Sequence, residues 1–366
     1  MTFTLTIDEP RWDASVRTAA EQFPTVVPVI KGNGYGFGRE RLARMSTRLG
    51  VDTVAVGTEA EIASVREGFD GTIVVLAPLT QEELNRLHPT TGRVIRTVAQ
   101  ADVVHRLAEP NSPDLEVILE LDSPVHRHGV QLAELAELAA PLSSVRLAGI
   151  AMHLPSTGDR AHAVKSVHTA LYELRRARVE FDTLWVSHLN ARELRELGEA
   201  EPRLTVRPRV GTGLWLADRS TFTVTGTVLD ARPVPHREAV GYRQRRLHGG
   251  TLVVVTGGTA HGVGLQGSSA RGGLKDVLKG ALMGAAHGVG WTPSPFRWAG
   301  KRLHYADVVH MQVSMLIVPA GVNPPAVGER LNCDVRMTIS TFDEVVVSPA
   351  LPGQEFAPGA TFPAAS

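Results

Sequence analysis

Val27–Gly38 reads VPVIKGNGYGFG. An apolar run ends in one lysine, Lys31, and four glycines follow within seven residues, with Asn33 and Tyr35 among them. A lone lysine at a strand end is ordinarily a surface cation whose stem packs and whose amine reaches water. The glycines shift that reading, because backbone without side chains can lie close against a flat ligand. A tyrosine hydroxyl among them can reach a phosphate. A lysine partly withdrawn from water also has a depressed pKa, which makes its amine a nucleophile toward aldehydes.

The stretch is the first of eight apolar runs: 26–30, 52–56, 72–76, 93–98, 115–121, 145–153, 183–188 and 203–208. Between them lie segments such as RERLARMSTRL and AHAVKSVHTALYELRRARV, whose apolar residues recur at helical spacing. Continuous β-branched runs alternating with helices indicate a parallel sheet covered on both faces. Eight such units within about 200 residues are what closes a (β/α)8 TIM-type barrel, with an open doubly wound sheet as the alternative. Lys31 then stands at the C-terminal end of the first barrel strand, the end that carries chemistry in such barrels. After Arg219 the texture changes to strands divided by Gly and Pro turns. The expected organisation is a barrel over 8–219 and a mostly antiparallel β domain over 220–366, which the strand-like residues 1–7 can join. The segment 272–288 reads as helix or ordered loop.

Lys plus Arg and Asp plus Glu balance at 38 each, which argues against electrostatic recruitment to nucleic acid or an anionic membrane. No apolar run has bilayer length, and MTFTLTIDEP lacks the basic and apolar regions of a signal peptide. One cysteine, Cys333, permits no intrachain disulfide and marks no metal site. A cytoplasmic enzyme is the expectation.

VIKGNGYGFG resembles the VKANAYGHG signature of the alanine racemases, fold-type III enzymes of pyridoxal 5'-phosphate (PLP) built from a barrel and a β domain. The resemblance implies that Lys31 carries the cofactor and that Tyr35 contacts its phosphate. LELDSPVHRHGV (119–130) resembles LKVDTGMGRLGV and puts Arg127 where the family has an arginine near the substrate carboxylate. Glu120 takes the place of a lysine that the family carbamylates, an anion without modification and an expected partner for Arg127. His153 matches a histidine close to the cofactor. WVSHLNARE resembles a phosphate-binding HxANS segment, which implicates Asn190, although Ala191 or Arg192 then replaces the serine. RPRVGTGLW resembles VRPGIALYG; it implies Arg209 at the pyridine nitrogen and Gly211 and Thr212 at the phosphate. A permanently protonated arginine there keeps the ring nitrogen unprotonated, which favours proton transfer at Cα over transamination.

The pattern breaks at the second base. The family takes it from a tyrosine of the partner subunit, in a segment like PIGYADGY; the matching VTGGTAHGVG (255–264) has Thr259 there and His261 two residues on. His261, His304 and His310 are the titratable replacements, and His261, set between glycines that expose it, is the expected base. Met311 falls on a substrate-side family position. The expectation is a homodimer with shared active sites that acts at Cα of a small amino acid, as a racemase with an altered second base. The alternatives are a PLP lyase or decarboxylase, a D-threonine-aldolase-like enzyme, or a PLP-binding protein without turnover. No metal site is expected.

Overall fold

A computed structural model describes residues 2–87, 90–265 and 292–348. They divide into two compact units, one running Asp13–Ala217 and the other joining the chain up to Trp12 to the chain from Asp218 onward. The chain begins with β1 (Phe3–Asp8) and α1 (Glu9–Glu21).

The first unit is a parallel barrel. Its strands are β2 (Val27–Pro28), β3 (Thr53–Val56), β4 (Thr72–Pro78), β5 (Val94–Val98), β6 (Glu116–Leu121), β7 (Arg146–His153), β8 (Thr183–Ser187) and β9 (Thr205–Val210). They pair in the order β2-β9-β8-β7-β6-β5-β4-β3, and a parallel bridge between Val29 and Ala55 closes the ring. Each strand overlaps one of the eight apolar runs, β4 and β9 running two residues past theirs, and the helices α2 (Arg39–Leu49) to α8 (Ala191–Ala200) fall between them. The runs are apolar throughout because both faces are covered. Val29, Ala55, Val74, Ile95, Ile118, Ala151 and Trp185 fill the interior, while alternate residues such as Leu119, Leu184 and Val186 pack under the helices.

The period of two along each strand then dictates the mouth of the barrel. Two residues beyond those interior positions come Lys31, Gly57, Leu76, Thr97, Glu120, His153 and Ser187. On β9 the corresponding step leads from Arg207, whose guanidinium lies 5.0 Å over the Trp185 ring, to Arg209. The polar mouth is the continuation of the apolar core by one layer.

The second unit is a closed antiparallel barrel. Its strands are β10 (Phe222–Val234), β11 (Ala239–Val240), β12 (Arg245–Arg246), β13 (Gly250–Thr256), β14 (Thr292–Trp298), β15 (Lys301–Tyr305), β16 (Val313–Val318), β17 (Arg330–Cys333) and β18 (Glu344–Ser348). The long β10 pairs with β1 and β17 through its first half and with β13 through its second, so the ring runs β10-β13-β16-β15-β14-β17. β18 adds in parallel to β1. The 272–288 segment lies outside the described residues. No described helix is long and apolar enough to cross a membrane.

Trp185 is 2% exposed and its Nε1 donates to Ala148 O at 3.1 Å, so it both fills the barrel and ties β8 to β7. Trp185→Ala should lower stability by about 3–5 kcal/mol, read as an earlier urea midpoint by circular dichroism. An unchanged midpoint would contradict this packing.

Candidate active site

Lys31 stands at the barrel mouth, with its Cβ beside Gly57. Its amine pKa is lowered, first by partial desolvation and then by the Arg127 and Arg209 guanidinium groups, with Glu61 acting in the opposite sense. Glu61 also braces the local backbone: its carboxylate accepts from Gly32 N at 2.8 Å and from Gly57 N at 2.7 Å. The strand end is thereby held to the turn after β3.

The glycine run takes left-handed backbone. Gly32, Gly34, Gly36 and Gly38 all have positive φ, and so does Tyr35 at 53°. A left-handed tyrosine is a strained conformation of the kind concentrated at functional sites. It brings the phenol to Gly211 at the start of α9 (Thr212–Trp215): a Cβ on Gly211 would lie 2.0 Å from Tyr35 Oη. The amides that open such a helical turn have no acceptor within it. Trp215 Nε1 donates to Val29 O at 2.8 Å and Val29 N to Val210 O at 2.9 Å, so α9, β2 and β9 form one tied corner.

Arg209 is buried, and its partner differs from the sequence expectation. Its Nη1 donates to Glu120 Oε2 at 3.0 Å, and Nη2 reaches Met152 O at 3.0 Å. Both side chains of the pair are 3% exposed. Glu120 therefore serves Arg209 and not Arg127. The reason is the barrel itself: β6 and β9 aim these two residues inward at the same level, whereas Arg127 lies on the exposed loop after β6. Arg127 Nε donates to His128 Nε2 at 3.1 Å, and its charge is felt at Lys31 and His153. Arg209 Nε is buried without a hydrogen-bond partner.

His153 faces His188 edge-on, with ring centroids 5.0 Å apart. Burial, followed by the charges of Arg209 and Arg127, pushes the His153 pKa down to about 3, and His188 is shifted in the same direction, first by burial and then by Arg160. Both rings are neutral near pH 7. Asn190 sits at the same end of the barrel, but its Oδ1 accepts from Arg192 N and Glu193 N and so caps α8. Its side chain serves the helix, as an asparagine at an N-cap does, and the expected cofactor contact has no support in its bonding. Thr212 opens α9.

The second-base candidates belong to the β unit. Thr259 begins a short helical turn, Thr259–His261, and its amide donates to His310 O at 2.9 Å. The expectation that flanking glycines expose His261 is corrected: the residue is 5% exposed. Its Nδ1 accepts from Gly258 N at 3.2 Å, and Nε2 then donates to Asp343 Oδ1 at 3.1 Å. With its ring 5.2 Å from that of Phe3, His261 is committed to holding its own turn. Met311 is 71% exposed.

A family model described as the N-terminal domain of alanine racemase matches residues 7–217. The chain belongs to the alanine racemase family. The alanine racemase of Staphylococcus saprophyticus is 30% identical over 159 residues, a match that covers 41% of each chain. That of Synechocystis is 25% identical over 263 residues, covering 66% of this chain and 69% of its own. The chain thus matches less than half of the length of the Staphylococcus relative. The structure of alanine racemase from Bartonella henselae with covalently bound pyridoxal phosphate aligns with a TM-score of 0.69 at 16% identity, over 95% of this chain and 100% of that one. The Bacillus anthracis enzyme with bound L-Ala-P aligns with a TM-score of 0.67 at 18% identity, over 90% and 84%. These likenesses are of fold.

Two residues at the mouth escaped the sequence reading of this racemase-family chain. Glu61 follows β3 on an ordinary acidic turn and has no local signal. His188 had one, since it directly follows β8, at the end of the strand that carries Trp185.

Tyr35 supplies a pH test. Burial raises its pKa to about 12, whereas an unfolded tyrosine ionises near 10. The unfolded chain therefore loses the phenolic proton first. The stabilising contribution is whole below about pH 10 and is lost as pH climbs to about 12. The drop in melting temperature across that window should be smaller in Tyr35→Phe than in the parent; equal drops would mean that the phenol is not buried in solution.

Proposed function

We propose that this chain is a PLP enzyme that moves the Cα proton of a small amino acid, with racemisation as its reaction. One observation carries the reading: a lysine whose amine is pushed toward its neutral form shares a barrel mouth with a buried arginine that has an unspent N–H.

The residues fit PLP. Lys31 offers the amine to which its aldehyde attaches. Tyr35 and the amides of Gly211 and Thr212 offer donors to a phosphate in a corner that a single Cβ would fill. The orphaned Nε of Arg209 is the kind of donor that an unprotonated ring nitrogen accepts. Bound there, PLP supplies an electron-withdrawing ring that acidifies the Cα hydrogen of an amino acid.

The chain's own residues do the rest. Lys31 takes or returns the Cα proton on one face, and burial, with the Arg127 and Arg209 charges, lowers its amine pKa from the ordinary lysine value. Arg209, a guanidinium donor, holds the ring nitrogen unprotonated and so disfavours transamination. Arg127 is the exposed cation for the substrate carboxylate. In this reading Glu120 keeps Arg209 oriented and Met311 is a contact on the substrate side. The reading includes a homodimer, in line with the family pattern of shared sites.

A second reading, a one-base lyase or decarboxylase, is favoured by Thr259, whose hydroxyl is a poor base, next to a His261 with both nitrogens engaged.

Lys31→Ala should lose the visible absorbance of the PLP-loaded protein, while the parent should incorporate deuterium at Cα of an L- or D-amino acid without bond cleavage. Retained absorbance in the variant would remove Lys31 as the attachment point. Release of carbon dioxide or an aldehyde would favour the lyase reading.

A further inference from the structure

The loop after β6, residues 122–129, is pinned at its base. Val130 N donates to Glu120 O at 3.0 Å and Asp122 N to Val130 O at 2.9 Å. A Cβ on Gly129, where φ is 141°, would lie 2.3 Å from Asp122 N, so the position is closed to any side chain. Within the loop His126 N donates to Ser123 O at 2.8 Å, and His126 Nδ1 lies 2.9 Å from Asp122 Oδ2. Ser123 Oγ donates to His153 O at 2.6 Å, which ties the loop to the end of β7. All of these residues belong to the barrel unit. A loop fixed at so many points holds its side chains in set places, and Arg127 and His128 are among them.

Arg127 lacks the partner that the sequence pattern gives it. Glu120 is spent on Arg209, and Arg127 Nε donates to His128 Nε2 at 3.1 Å instead. That bond fixes the imidazole tautomer: Nε2 accepts, so the proton sits on Nδ1, a buried atom. It also fixes the guanidinium. With Nε engaged, the edge formed by Nη1 and Nη2 is the fork that can meet a carboxylate. The charges acting on His128 come from Arg127 on its own loop, Glu120 on β6 and Arg209 on β9. Burial first, and then the two arginines, press the ring toward its neutral form, while Glu120 and the residue's own carbonyl act in the opposite sense. A neutral ring is what the bond requires, because an imidazolium has no lone pair with which to accept.

We propose that His128 is the positioning residue for Arg127: its Nε2 holds the guanidinium so that the Nη1 and Nη2 edge receives the carboxylate of the amino-acid substrate. This rests on the function proposed above, in which Arg127 is the cation for that carboxylate. His128 stands where the family segment LKVDTGMGRLGV has leucine, a side chain with no atom for this bond. Positions 120 and 128 thus depart from the family pattern together. The carboxylate at 120 goes to Arg209, and an imidazole takes the arginine left over. A device that orients Arg127 acts on the binding of the substrate carboxylate and not on the proton at Cα.

The test uses the full chain loaded with PLP and follows deuterium incorporation at Cα of L-alanine. His128→Leu should keep the visible absorbance and raise KM on the order of 10-fold, with kcat within a few-fold of the parent. His128→Gln, whose Oε1 accepts near the place of Nε2, should restore KM near neutral pH. Protonation of His128 removes the acceptor, so the KM of the parent should climb as pH falls below 6.5, the ordinary histidine value, and that of His128→Gln should not. A further readout does not depend on turnover. In protein labelled with 15N-histidine, the resonance that disappears in His128→Gln should report a proton on Nδ1 and none on Nε2. A His128→Leu KM within a few-fold of the parent, a KM that His128→Gln fails to restore, the same acid-side climb in both proteins, or a proton on Nε2 would overturn the assignment and leave the PLP reading intact. A parent that exchanges the Cα hydrogen of no L- or D-amino acid would overturn the proposed function and this assignment together.

Discussion

Glu120 and Arg209 meet inside the end of the barrel with almost no contact with water, and the electrostatics of that end depend on their pair. Withdrawing two charges from solvent costs several kcal/mol per ion before their attraction is counted. The pair is therefore weak evidence of stability and better understood as a device of position. Two nitrogens of Arg209 are consumed, by Glu120 and by the Met152 carbonyl, and the third is left free. An arginine clamped at two points presents its Nε–H in one direction.

That fixed cation has consequences for its neighbours. Lys31, His153 and His188 all feel Arg209 and Arg127, and for all three the shift is toward the uncharged form. Burial is the larger cause in each, and the guanidinium charges act in the same sense. The mouth thus holds its permanent positive charge on arginines, which cannot give it up, and shifts its titratable nitrogens toward their uncharged forms.

The β unit shows the opposite treatment of histidine. His261 is bonded at both nitrogens and packed on Phe3, so it holds the turn that carries Thr259. His310 lies one hydrogen-bonded strand segment away, with a nitrogen turned toward a buried carboxylate that already serves the Tyr242 turn. Two histidines of one unit thus differ in whether their bonding is spent on the fold.

The barrel and the place of Lys31 were legible in the sequence, because both follow from local rules. Runs that are apolar on both faces specify parallel strands between helices, and a period of two carries a lysine at position 31 onto the same face as Val29. The left-handed backbone of the glycine run, which includes Tyr35, was supplied by the structure. Partnership was not legible. Glu120 and Arg127 stand seven residues apart and looked like a pair, yet Glu120 pairs with a residue 89 positions away. Exposure also failed as a local inference at His261, since its neighbouring glycines say nothing of the Phe3 strand and Asp343 that enclose it. Sequence determines which face of a strand a side chain takes. Which group it meets there is decided by ring closure, which sets residues from distant strands at one level and makes the buried charges choose among them.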